Sequence, residues 1–129
     1  MAAVARWVHL GAAWVFVGGV LLQGYLAGAA LPELGGSSDF ATHAFIGYTV
    51  MGLLALAVLV TSVLGRLPRR QMVLSLLLFV LYIVQTSLPN VRSDLPAIAA
   101  LHPATAMVLL VLAGIIGWRA RSQAARPGA

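Results

Sequence analysis

An all-α integral membrane protein, a four-helix up-down bundle, is the fold class the sequence predicts, and three observations predict it. The 129 residues are 61% apolar with only 8 arginine and 3 carboxylate charges. Cutting the chain at those charges leaves uncharged stretches at 7–32, 40–65, 71–91 and 95–118, of 26, 26, 21 and 24 residues. Each meets or exceeds the roughly 20 residues that cross a bilayer core. The charges sort by loop: Arg6, Arg66, Arg69, Arg70, Arg119, Arg121 and Arg126 share one side, while Glu33, Asp39, Asp94 and Arg92 fall in the other two loops.

The first span, about 7–31, ends in Ala27-Gly28-Ala29 like a signal peptide, but its apolar stretch exceeds a usual signal core and it reads as a true span. The second, about 41–64, is opened by Asp39 as a cap and closed before Gly65. Pro68 suits the start of the third, about 70–89. Asp94 and Pro96 open the fourth, about 96–118, inside which Pro103 either kinks the helix or marks its true start. Residues 1–120 thus form one bundle, and 121–129, lacking an apolar period, are expected to be a disordered cytoplasmic tail.

This arithmetic excludes a soluble enzyme domain, a secreted disulfide scaffold and a nucleic-acid binder. The net charge of +5 is a topology signal, and the positive-inside rule puts both termini and the 65–70 loop in the cytoplasm of a bacterial plasma membrane. With no cysteine, any metal must sit on nitrogen or oxygen.

Laying the second half on the first sets Gln23-Gly24-Tyr25-Leu26 against Gln85-Thr86-Ser87-Leu88, and His43 against His102. A tandem repeat of two helical hairpins is one reading of this match; chance alignment of apolar helices is the other. Independently of the repeat, His43 and His102 stand near the starts of the second and fourth spans, which both begin at the outer face. Two imidazoles therefore meet at similar depth.

Ionisable groups inside spans are functional candidates, because an unpartnered polar group in hydrocarbon is costly. Here they are three histidines and some tyrosines, with no carboxylate for a pump or cation-coupled transporter. Two neutral imidazoles at one depth are what six-coordinate haem iron takes, so His43 and His102 are the expected metal ligands of a low-spin, bis-histidine haem b. The small residues Gly47 and Ala106, each four places after a histidine, leave room for a macrocycle. A backbone carbonyl, or a nearby amide such as Gln23 or Gln85, is expected to hold the other N–H of each ring. Arg92, the one arginine on the outer side, is the candidate partner of a propionate, and Tyr25 and Tyr48 are candidate lining for a cofactor or quinone. Against these stand ordinary roles: a lone intramembrane histidine or glutamine is often interhelical glue, and Arg92 a solvated loop charge. His9, beside Trp7 at the inner end, is expected to be an interfacial anchor.

The motifs Thr42-His43-Ala44, Gly47-Tyr48, Val84-Gln85 and Leu101-His102-Pro103-Ala104-Thr105-Ala106 together resemble one four-helix half of haem A synthase, over most of the chain. The chain is also similar to b-type cytochrome membrane bundles and to short four-span bacterial membrane proteins of unassigned function. The resemblance implies that His43 and His102 are axial ligands. It does not carry the synthase activity: only one bundle is present, Ala44 replaces an arginine common in that family, and Glu33 matches its acidic loop residue only loosely.

The leading expectation is a small haem b protein transferring electrons alone or as a subunit of a membrane oxidoreductase, with no catalytic residue named and enzyme status undecided. The competing class is a cofactor-free accessory or assembly subunit; a small quinol-linked reductase is a third. The lipid bilayer is the expected partner, with quinone, other membrane subunits or a second copy as further candidates. A chlorin on the same histidines is not distinguished from haem by sequence.

Overall fold

The computed structural model describes residues 1–125. Four helices dominate it, α1 Ala2–Ala30, α2 Ala41–Leu64, α3 Arg69–Val91 and α4 Pro96–Ala124, each long and apolar enough to cross a membrane. No strand occurs among the described residues. α2 contains a π-helical turn at Ile46–Val50, α3 ends in a 3₁₀ turn at Leu88–Val91, and α4 is broken at 100–101 between pieces Pro96–Ala99 and His102–Ala124. Each helix packs against the next and α1 closes the ring against α4, so α1/α3 and α2/α4 are the diagonals. The result is the expected all-α four-helix bundle.

Several boundaries differ from the sequence reading. α1 runs through Arg6, whose Nε donates to the Gly65 carbonyl at 3.2 Å and so occupies a free acceptor at the end of α2. α4 continues to Ala124, so residues 121–124 of the expected disordered tail are helical; residues 126–129 lie outside the described residues. The reason is burial: Ala120, Gln123 and Ala124 are all buried and carry the packed face onward. The N-cap of α2 is Phe40 rather than Asp39, which stands one residue earlier and whose Oδ1 accepts from the Ala41 amide at 2.8 Å. Pro103 marks the start of the long piece of α4, in a first turn where its missing N–H costs no hydrogen bond.

The inward face of each helix repeats at alternating intervals of three and four residues, the spacing of a left-handed bundle seam. It reads His9, Ala13, Phe16, Val20 and Gln23 on α1; Gln71, Ser75, Leu78, Tyr82 and Gln85 on α3; and His102, Ala106, Leu109, Ala113, Ile116, Ala120 and Gln123 on α4. On α2 the buried residues Met51, Ala55, Val58 and Ser62 keep this spacing. Every histidine and every glutamine of the chain lies on a seam, towards its ends, while the middle of the core is apolar. The outside is the reverse of a water-soluble surface: Trp7, Leu21, Leu53, Val111 and Trp118 are all more than half exposed. Such a chain is a multi-pass membrane protein, its apolar exterior facing lipid.

Candidate functional site

The histidine end of the bundle is built by two irregularities. Extending the inward spacing of α2 back from Met51 along an ideal helix reaches Tyr48 and Ala44. The extra residue taken up by the π turn moves that face to Gly47 and His43 instead. Tyr82 stabilises the distortion from α3, its hydroxyl donating to the Tyr48 carbonyl at 2.8 Å with the Gly47 carbonyl at 3.2 Å. Gly52 admits that hydroxyl, since a Cβ there would stand 2.7 Å from the Tyr82 oxygen. On α4, the break at 100–101 starts a fresh helix at His102, which then falls in line with Ala106 and Leu109.

The two imidazoles meet across the α2/α4 diagonal with ring centroids 6.3 Å apart and planes at 71°. Each is held from the preceding helix by a glutamine. His43 Nδ1 donates to the Gln23 carbonyl at 3.2 Å, and Gln23 Nε2 donates back to the His43 carbonyl at 3.1 Å. His102 Nδ1 donates to the Gln85 carbonyl at 2.9 Å. Because a carbonyl only accepts, each Nδ1 must carry the proton, and the neutral ring presents a lone pair on Nε2. His43 Nε2 has no hydrogen-bond partner among the described residues. His102 Nε2 accepts from the Gln85 amide at 3.3 Å, a long contact.

A cleft of about 570 Å³ opens beside the rings. His43, His102, Gln23, Gln85, Gly47 and Ala106 line it, as do Tyr48 and Arg92. Gly47 has a second use: a Cβ there would stand 3.1 Å from Gln23 Nε2, so its smallness also admits the clamping amide. Tyr25, considered from sequence as lining, is 71% exposed and lies away from the cleft, its helix having turned it outward. Among the described residues no three metal-ligating side chains cluster. A metal held here therefore has two imidazoles from the protein and must bring its remaining ligands.

His9 corrects the sequence reading most sharply. It is an inward seam residue with no exposed surface, not an interfacial anchor. Its Nδ1 donates to the Val58 carbonyl at 3.0 Å, and its Nε2 accepts from Gln71 Nε2 at 3.0 Å. The second Gln71 N–H donates to the Ile116 carbonyl at 3.0 Å. Four helices are joined by two side chains, with Gln71 Oε1 left buried without a partner among the described residues. The roles of Gln71 and Tyr82 escaped the sequence reading; the signal that finds Gln71 is its interval of 14 residues from Gln85, the same as from His9 to Gln23.

No curated protein and no solved structure matches the chain. Residues 23–90, a stretch that begins at Gln23, contains His43 and Gln85 and stops before His102, match the model of a family of unknown function, DUF6220. That match covers more than half of the 129 residues, and the chain belongs to this family.

Proposed function

We propose that the histidine end holds one haem b between His43 and His102, and that the protein passes electrons, alone or within a membrane oxidoreductase. The observation that carries this reading is the pair of rings itself. The ring centres stand 6.3 Å apart across the bundle, near enough that one metal could be held by a nitrogen of each. Each Nδ1 bond to a glutamine carbonyl fixes the tautomer that offers Nε2 and orients the ring, the usual support of a ligating histidine. When bound, such a group takes up and returns one electron. The chain's own part is to hold the two rings, to keep the flanking positions small at Gly47 and Ala106, and to present Arg92 towards propionates at the cleft mouth. A haem held by both imidazoles would disfavour substrate binding at its metal, which supports electron transfer over oxygen chemistry. The arginine-rich end would face the cytoplasm under the positive-inside rule.

A second reading is favoured by one observation. Gln85 hydrogen-bonds His102 Nε2, so that ring is satisfied by protein groups alone, as an interhelical staple of a cofactor-free accessory subunit would be. Absorption decides between them. Protein purified after expression with ample haem precursor is expected to show a Soret band with sharp reduced α and β bands, lost in His43→Ala and in His102→Ala. Colourless wild-type protein ends the haem reading and leaves the staple.

A further inference from the structure

At the opposite end of the bundle a second cavity of about 570 Å³ is lined by Pro68, Trp118, Arg119, Arg121, Ser122 and Gln123. Three observations mark it as a built site rather than a gap. First, Arg119 Nε is buried without a hydrogen-bond partner among the described residues, an uncompensated donor on a charged group. Second, Gln123 is only 7% exposed, it lies on the α4 seam, and its Oε1 is buried without a partner among the described residues. Third, the Arg121 guanidinium is held by two aromatic faces, 4.7 Å from the Trp118 ring centre and 5.4 Å from that of Trp14. No carboxylate side chain is available to these arginines, since Glu33, Asp39 and Asp94 all belong to the other end. The site thus offers charged donors, one buried acceptor and, among the described residues, no protein anion.

We propose that this cavity takes the headgroup of an anionic phospholipid that also carries a hydroxyl, of the phosphatidylglycerol class. The phosphate accepts from the guanidinium groups of Arg119 and Arg121, which line the cavity, and a small turn of the Gln123 side chain brings its Oε1 to a headgroup hydroxyl that donates to it. Trp118, 67% exposed on the lipid-facing side, lies where the glycerol and upper acyl chains run. A zwitterionic choline headgroup brings a second positive charge to the arginines and no hydroxyl for Gln123, so it is rejected on both counts. The inference is independent of what the histidine end binds.

The test is lipid retention by the purified full-length protein in detergent, read by native mass spectrometry with added phosphatidylglycerol, phosphatidic acid or phosphatidylcholine, and with inorganic phosphate as competitor. Wild-type protein is expected to retain phosphatidylglycerol selectively, with millimolar phosphate displacing little of it. The Arg119→Gln/Arg121→Gln double variant is expected to lose about thirtyfold in retention, each arginine near a charged surface contributing about fivefold. Gln123→Leu, which keeps the charges, is expected to reduce the preference for phosphatidylglycerol over phosphatidic acid. Equal retention of the two headgroup classes by wild-type protein overturns the proposal without any variant. So does efficient displacement by phosphate, which would make the site one for a free anion, and so does undiminished retention in a double variant whose circular dichroism and melting match wild type.

Discussion

The two histidine regions of the bundle use the same parts to opposite ends. At each, an imidazole donates from Nδ1 to a backbone carbonyl of another helix, and a glutamine stands beside its Nε2 or its carbonyl. Around His9 the arrangement is closed: the ring is fully buried, and one amide bonds both Nε2 and the Ile116 carbonyl. Around His43 and His102 it is open: two rings face a cleft, one Nε2 is unpartnered and the other weakly held. The difference teaches that residue type in a membrane helix does not separate a staple from a site. What separates them is whether the second ring nitrogen is enclosed or left beside space.

The largest effect that would break this comparison is on haem content. His43→Ala and His102→Ala should each abolish the Soret band, whereas His9→Ala should keep the haem-to-protein ratio of whatever folds; loss of haem in that variant would make the closed region a second cofactor site. Stability should run the other way. His9→Ala strands the Gln71 amide and leaves a hole, and is expected to cost about 2–4 kcal/mol in reversible unfolding from detergent micelles, against about 1 kcal/mol for His43→Ala without cofactor. Replacing both members, as His9→Leu with Gln71→Leu, should recover at least half of that loss, because no buried donor then lacks a partner; an additive double variant would refute the coupling.

A smaller effect sharpens the open region. Gln85→Leu removes the amide beside His102 Nε2 while keeping the carbonyl that orients the ring, so haem affinity should rise by about fivefold, the worth of one neutral hydrogen bond, in a haem titration of the apoprotein. A fall instead would give the amide a supporting role. The smallest effect concerns Arg92, which is exposed at the cleft mouth. Arg92→Gln removes a cation that favours the electron-rich state, so the midpoint potential should drop by about 10–40 mV, the scale of an exposed ion pair. An unchanged redox titration would detach Arg92 from the site.

Much of this architecture is legible in the chain. Four uncharged stretches between arginine-bearing and carboxylate-bearing loops leave little choice but four spans, because hydrocarbon tolerates neither charges nor an unpaired backbone. The depth of an intramembrane group also follows from counting residues, and it singled out His43 with His102. Two features were out of reach. The π turn has no periodic signature: Tyr48 and Ala44, not Gly47 and His43, continue the inward spacing of α2, and only a tyrosine 34 residues downstream makes the distortion affordable. His9 beside Trp7 looks like any interfacial pair, because a one-residue difference in rotation decides whether a side chain meets lipid or core.

By itself, then, the sequence determined how often the chain crosses the membrane and at what level its few polar groups ride, since both depend on length and on the cost of burying charge. The tertiary structure alone decided which of those groups are sealed and which border a cavity. That outcome depends on helix rotation, on one inserted residue in α2 and one break in α4, and on contacts between residues far apart in the chain, none of which local composition encodes.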